Sequence, residues 1–321
     1  MNILITGGLG FIGSNFYNTF KEKYPDYNLL ILDSETYAAD EDNIHNQHAR
    51  IIKFSITDRR RLFKLFENYN FDSVIHFAAE SHVDNSILNP MEFVQTNVIG
   101  TLNLLDASVK HGIKLFYHIS TDEVFGHLGA VGSFNEKTAY DPRSPYSASK
   151  ASSDHFVRAY HHTYGLPIII SNCSNNFGPN QHKEKLIPTV INNILSGKPI
   201  PVYGNGQNVR DWLYVQDHVD AIDMIYHKGK VGETYCIGGG NELNNLRLVR
   251  MLCDKIDNLK QWDQNSQDLI EFVEDRKGHD FRYSIDSTKV QQEVGWTPKV
   301  NFDEGLDKTI DFYLKKFGSR G

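Results

Sequence analysis

Cysteine is scarce in this chain, and its three copies, Cys173, Cys236 and Cys253, lie far apart. None falls in a C-x-x-C pair, which excludes a thiol-ligated metal site and a disulfide framework and leaves buried free thiols as the expectation. No apolar run is long enough to span a bilayer. The stretch from Met1, which runs straight into a strand and a glycine loop, resembles no signal peptide, so no secretory leader and a cytoplasmic chain are expected. Positive charge is in short supply: 33 Lys and Arg stand against 40 Asp and Glu, for a net charge of -7. A general nucleic-acid surface needs the opposite balance, although a local basic pocket for a diphosphate is compatible with it. Histidine is plentiful, but His45, His48, His161 and His162 have no matching carboxylate or cysteine set, so no metal is expected.

What is present is enough for a large core, with 321 residues of which 40% are hydrophobic and 23% charged. That length suits one large α/β domain and a smaller lobe. In the first half, short apolar runs at 2–6, 29–32, 51–54, 74–77, 115–119 and 168–171 alternate with helical patterns at 11–23, 58–68, 93–111 and 146–164. Strands that alternate with helices and are apolar on both faces specify a doubly wound parallel Rossmann sheet. The rest is less regular and reads as a mixed α/β lobe. Helices are expected near 184–196, 216–227, 246–256 and 303–317, with strands such as 213–215 and 271–273. The expected division is a dinucleotide-binding domain over 1–178, to which a segment near 209–236 returns, and a substrate lobe over 179–321.

The first strand ends in Gly7, Gly10 and Gly13, spaced G-x-x-G-x-x-G, with Phe11 and Ile12 opening the helix. One glycine allows a tight turn, the next lets backbone approach a pyrophosphate, and the third lets helix pack on strand. The helix N-terminus adds free N–H groups and positive potential. Asp33, twenty residues past Gly13 at the end of the second strand, is placed to accept hydrogen bonds from a ribose. It would repel a 2′-phosphate, so NAD is favoured over NADP. Further on, Tyr146 and Lys150 form Y-x-x-x-K, which puts both side chains on one helix face. Ser144 and Pro145 suit the N-cap and N1 positions. A nearby ammonium is expected to lower the phenol pKa and make Tyr146 a base.

The opening TGGLGFIG and the later YSASK resemble the extended short-chain dehydrogenase/reductases. The run Ser120-Thr121-Asp122-Glu123-Val124-Phe125-Gly126 is similar to the STDEVYG motif of the dTDP-glucose 4,6-dehydratases. AAESHVD at 78–84, NCSNNFGP at 172–179, EKLIP at 184–188, RDWLYV at 210–215 and DRKGHD at 275–280 resemble that family's motifs in the same order. The resemblance covers essentially the whole chain.

It implies a tightly bound NAD, regenerated at every turnover. It also implies oxidation at C4 of a dTDP- or UDP-glucose, loss of water across C5 and C6, and hydride return to C6. Asp122 would protonate the C6 oxygen, Glu123 would take the C5 proton, and Thr121 would bind the C4 oxygen. Tyr146 would take the C4 hydroxyl proton, while Lys150 would tune Tyr146 and hold the nicotinamide ribose. Ser55, Ile56, Ala78 and Ala79 join the cofactor set, and Ser81 and Asn175 approach the sugar or diphosphate. Lys185, Leu186, Pro201, Val202, Tyr203, Arg210, Asn245, Arg276 and His279 would line the nucleotide site. A homodimer is implied through a four-helix interface built from the helix after Pro90 and the Tyr146 helix.

The chain departs from the family pattern in places. Ser55 stands where an aspartate is usual, and Ala39 replaces a glycine, so a left-handed turn there would be strained. Phe125 and Phe177 replace tyrosines, which removes two hydroxyls from the neighbourhood of the pocket. A 4-epimerase or decarboxylase of the same fold, or a silent NAD-binding protein, stays open, because fold does not fix function. Asp122 and Glu123 speak for elimination, since epimerisation needs no such pair. Thymine and uracil differ by one methyl group, worth only ~1–3 kcal/mol in an apolar pocket, so the base preference also stays open.

Overall fold

The computed structural model describes residues 1–263 and 265–318. The strands are β1 (Asn2–Thr6), β2 (Asn28–Asp33), β3 (Arg50–Lys53), β4 (Ser73–His76), β5 (Leu115–Thr121), β6 (Ile168–Cys173), β7 (Asn175–Phe177), β8 (Ile200–Tyr203), β9 (Val209–Tyr214), β10 (Thr234–Ile237), β11 (Glu242–Asn244) and β12 (Ile270–Val273). The helices are α1 (Phe11–Lys23), α2 (Arg59–Asn68), α3 (Val83–Leu88), α4 (Pro90–Phe93), α5 (Thr101–Lys110), α6 (Pro145–Tyr164), α7 (Leu186–Ser196), α8 (Val215–Lys228), α9 (Asn245–Lys260), α10 (Thr288–Val294) and α11 (Phe302–Gly318). None of the helices described is long and apolar enough to cross a membrane.

Seven strands form one sheet in the order β10-β6-β5-β4-β1-β2-β3, parallel throughout. The strand alternation predicted from sequence divides its two faces. Ile3, Ile5, Leu29, Ile31 and Ile169 pack towards α1 and α8, with Val290, Val294 and Trp296 joining them. Leu4, Leu30, Leu32, Ile168 and Ile170 pack the other way, against α2, α5 and α6. Each such side chain contributes about 1.5–3 kcal/mol on burial. The order reverses between β1 and β4, so a crevice opens there at the carboxyl ends of the strands.

The smaller lobe carries the β11-β9-β7 and β12-β8 sheets. Its separate core includes Ile187, Ile191, Trp212, Leu252, Ile256 and Ile310. β9 belongs to this lobe, whereas α8 lies on α1 and β10 extends the large sheet beside β6. Trp296 Nε1 donates to Asp217 O at 3.0 Å, and the Asp217 carboxylate accepts from the amides of Lys299 and Val300, each at 3.0 Å.

The strands and helices read in the first half recur within one or two residues, with one exception. The helix expected over 93–111 starts at Pro90 and contains a π-helical stretch, Val94–Gly100. A π turn frees a backbone carbonyl from the helical ladder. Here Asn97 O accepts from Thr101 Oγ1 and Ser153 Oγ at 2.6 and 2.5 Å. The strand expected at 213–215 is instead β9, and Val215 already begins α8. The charged Arg210 and Asp211 hid this strand in the sequence. Both are buried in it, Arg210 donating to Asp280 O at 3.0 Å and Asp211 accepting from Asn241 N at 2.9 Å.

Candidate active site

The crevice above β1 and β4 holds a cleft of about 300 Å³. Its glycine loop is shaped by backbone alone. Gly7 has φ +71°, and a Cβ there would come within 2.5 Å of Ala78 N. A Cβ on Gly13 would stand 3.0 Å from Gly7 C and Gly8 Cα, and closer still to Gly7 O. No side chain caps α1 at Gly10, so its first amides face the cleft with their positive potential. Asp33 is buried at the rim, where it accepts from Leu9 N and Glu35 N at 3.0 Å each. Burial raises its pKa, and those backbone donors oppose the rise. The cradle fits a dinucleotide diphosphate, with a carboxylate placed for a ribose. Phe11, Ile12, Ser55, Ile56, Ala78 and Ala79 line the same cleft, so every sequence-predicted cofactor residue falls within it. Ser55 Oγ is engaged with Thr57 Oγ1 at 2.8 Å.

At the other end of the cleft, β5 stops at Thr121, which caps the short 3₁₀ helix Asp122–Phe125. Facing it, α6 begins with the expected Ser144 cap, here a full capping box with Ser147. Ser147 N donates to Ser144 Oγ at 3.0 Å, Ser144 N to Ser147 Oγ at 2.9 Å, and Pro145 sits in the first turn. This brings Thr121, Asp122, Glu123, Tyr146 and Lys150 together along one wall. Thr121 Oγ1 donates to Asp122 Oδ1 at 3.3 Å and accepts from Glu123 N at 3.3 Å. Asp122 is buried, and its Oδ2 has no partner among the described residues. Burial first, then the charges of Glu123 and Asp211, push its pKa well above the usual carboxylate range. Glu123 is also raised by burial, but Arg276, Arg210 and Lys185 pull it back. Two adjacent carboxyls therefore differ in environment: both are raised, Asp122 the more strongly, while three cations oppose the rise at Glu123.

Tyr146 is buried on this wall. Burial, followed by the Glu123 charge, raises the phenol well above its ordinary value, and only a hydrogen bond from Thr121 opposes this among the main influences. Lys150 itself is buried, and its ammonium donates to Ile119 O at 2.9 Å.

Of the substrate-side residues, Ser81, Asn175 and Lys185 line the cleft, and Lys185 Nζ donates to Ser81 O at 2.9 Å. The others stand outside it on the lobe. Leu186 opens α7 and packs on the lobe core. In β8 the alternation leaves Pro201 and Tyr203 exposed while the Val202 side chain enters the lobe core. Tyr203 OH donates to Asp84 Oδ2 at 3.3 Å, and its ring meets His279 edge-on. Arg210 lies over the Tyr283 ring at 4.3 Å. Asn245 opens α9, Arg276 has a buried Nε without a partner among the described residues, and His279 Nδ1 contacts Asp275 Oδ1 at 2.6 Å.

Two departures read from sequence resolve differently. The left-handed residue of the loop after β2 is Glu35, at φ 49°, and not Ala39. Phe125 and Phe177 do not face the cleft: Phe125 stacks on Phe134 at 5.2 Å, and Phe177 packs among Trp212, Tyr214 and Phe302. The sequence reading also missed cleft residues. Glu80, Cys173, His182 and Glu184 line it, and His182 Nδ1 lies 3.5 Å from Glu184. Three of them sit inside or beside quoted motifs, which is the signal that could have found them. All three cysteines are free and buried.

A sequence profile of the GDP-mannose 4,6 dehydratase family matches residues 4–309. The chain is 46% identical over 332 residues to dTDP-glucose 4,6-dehydratase of Haemophilus influenzae, covering 98% of each chain. It superposes with a TM-score of 0.92 on DesIV, a dTDP-glucose 4,6-dehydratase of Streptomyces venezuelae solved with NAD and TYD bound, at 42% identity and covering 99% and 98% of the two chains. A Thermotoga maritima UDP-glucose 4-epimerase solved with UDP-glucose is also similar, at 30% identity and a TM-score of 0.90, covering 99% of this chain and all of the epimerase chain. Matched along nearly its whole length by these relatives, the chain belongs to the dTDP-glucose 4,6-dehydratase family of the extended short-chain dehydrogenase/reductases.

Proposed function

We propose that this protein is a nucleotide-sugar 4,6-dehydratase, a hydro-lyase that converts dTDP-glucose and/or UDP-glucose to the 4-keto-6-deoxy sugar nucleotide with bound NAD. The observation that carries the reading is the divided pair, with Asp122 strongly held in its acid form and Glu123 drawn back towards its carboxylate by three cations. When bound, NAD supplies the hydride acceptor for C4 and the donor for C6, and its oxidised ring adds a positive charge. The residues do the rest. Thr121 hydrogen-bonds the C4 oxygen, and Tyr146 takes the C4 hydroxyl proton with Lys150 beneath it. The ketone acidifies the C5 hydrogen, which Glu123 removes. Asp122 gives its proton to the C6 oxygen, which departs as water, and the proton held by Glu123 returns to C5 as C6 is reduced. Gly7, Gly10, Gly13 and Asp33 hold the dinucleotide, while Lys185, Arg210 and Arg276 suit a diphosphate.

The proposed division keeps the one read from sequence, 1–178 and 179–321 for the substrate, but gives β7 and β9 to the lobe sheet and narrows the return near 209–236 to α8 and β10, in a cytoplasmic homodimer. Supporting the dimer, Leu88, Met91 and Tyr164 are 84%, 60% and 60% exposed, and Val94, Ile99 and Phe156 lie near them in sequence on the α4–α5 and α6 helices. Incubation with dTDP-glucose and with UDP-glucose tests the activity by NMR of the sugar product. A 4-keto-6-deoxy sugar supports it, a 4-epimer overturns it, and the ratio of the two rates measures the value of the thymine methyl.

A further inference from the structure

Beneath the cleft, on the side away from the substrate, lies a buried carboxylate that the reaction does not touch. Asp154 follows Lys150 by four residues on α6, which places both on one helix face. Both are buried, Asp154 completely. Its Oδ2 accepts from Tyr140 OH at 2.7 Å, Ser120 Oγ at 2.9 Å and Asn172 Nδ2 at 3.1 Å. Its Oδ1 lies 3.2 Å from His118 Nε2. Asn172 Nδ2 also donates to Thr121 O at 3.0 Å, and Lys150 Nζ donates to Ile119 O. Four consecutive residues of β5, His118 to Thr121, are thus tied to α6 through Asp154, Lys150 and Asn172. Those residues lead directly into Asp122 and Glu123.

We propose that Asp154 is a positioning residue of the dehydration: it clamps the catalytic end of β5 to α6 and, one helical turn from Lys150 without touching it, supplies the buried negative charge that favours the ammonium. The inference rests on the proposed function. An isolated ammonium in such a place would shed its proton, because burial disfavours the charged form. The groups around the pair are His76 from β4, His118 from β5, Cys173 from β6, Tyr140 from the segment before α6, Arg158 on α6, and Tyr146 and Asp122 at the cleft. Burial holds both histidines neutral, His118 at about 4. The Cys173 thiol is pushed up to about 12, and Asp122 is raised as well. Asp154, at about 2, is the carboxylate among them that is ionised at neutral pH, and it is the main support for the Lys150 charge.

The test compares Asp154→Asn with Tyr140→Phe, which removes one hydrogen bond to the same carboxylate and leaves its charge. In Asp154→Asn, kcat falls at least about tenfold and the alkaline limb of the kcat–pH profile moves down by about one unit or more, as expected for an ammonium that has lost a nearby buried negative charge. In Tyr140→Phe the limb stays in place. An unmoved limb in Asp154→Asn, or an equal shift in Tyr140→Phe, overturns the proposal. A second measurement does not need turnover: the unfolding temperatures of Lys150→Met, Asp154→Asn and the double variant. Each single change removes one of two buried opposite charges a helical turn apart, so the double variant loses less than the sum of the two. Additive losses together with an inactive Lys150→Met overturn the role of Asp154 alone. Full turnover by Lys150→Met overturns the catalytic reading beneath it.

Discussion

Replacing Glu123 by glutamine removes the proposed C5 base and leaves almost everything else in place. The side chain keeps its size, and Glu123 N still donates to Thr121 Oγ1. A positioned base is worth about 10²–10⁴-fold in rate, so the barrier rises by about 3–5.5 kcal/mol. The fall belongs in kcat, with NAD still bound. The pH profile gives a sharper test. Burial raises the Glu123 pKa, while Arg276, Arg210 and Lys185 oppose it. A base must be ionised, so wild-type turnover falls as the pH drops through that raised value. Glutamine carries no titrating proton, and the residual rate loses this acidic limb. Lys185→Met removes one of the opposing cations, which moves the limb to higher pH. Dehydration assayed by NMR across the acidic range reads all three. A Glu123→Gln enzyme within about tenfold of wild type, or one that keeps the acidic limb, refutes the assignment.

Gly13→Ala drives a methyl into the Gly7 carbonyl, where backbone and not a flexible side chain must yield. It costs about 1–3 kcal/mol and weakens NAD binding, measurable by calorimetry and thermal unfolding. Asp33→Ser removes the carboxylate proposed for the ribose. NAD affinity falls by about 10–150-fold, equivalent to about 1.5–3 kcal/mol, and the preference over NADP narrows in a paired titration. His218 is buried and held neutral, with a pKa of about 3 caused by desolvation. The unfolded chain takes up that proton near pH ~6.5 and the folded chain does not, so stability falls with falling pH between those values. Relative to His218→Gln, wild type loses about 1.4 kcal/mol per pH unit there, read by denaturant unfolding.

The features legible in sequence are the ones whose cause is local. The glycine loop, the Asp33 strand end and the Ser144–Pro145 cap each follow from residues a few positions apart, and each stands where it was read. The hidden features are set by contacts distant in sequence. β9 carries Arg210 and Asp211, which read as loop until Asp280 and Asn241 are seen to satisfy them. The π stretch exists because Asn97 bridges Glu80 and Ser149, partners 17 and 52 residues away. Tyr146 and Lys150 were found from their spacing downstream of the glycine loop. Spacing does not report that the phenol lies buried beside Glu123, or that Asp154 supports the lysine. Phe125 and Phe177 were placed near the pocket by their motifs, but their rings turn into apolar clusters behind it.

The central claim is that one sugar is oxidised at C4, loses water and is reduced at C6 without leaving the cleft. Conversion of C4-deuterated dTDP-glucose, followed by NMR of the product, tests it most directly. The account predicts 4-keto-6-deoxy product with the deuterium at C6. Product with hydrogen at C6 and the label lost to solvent or to added cofactor would contradict it.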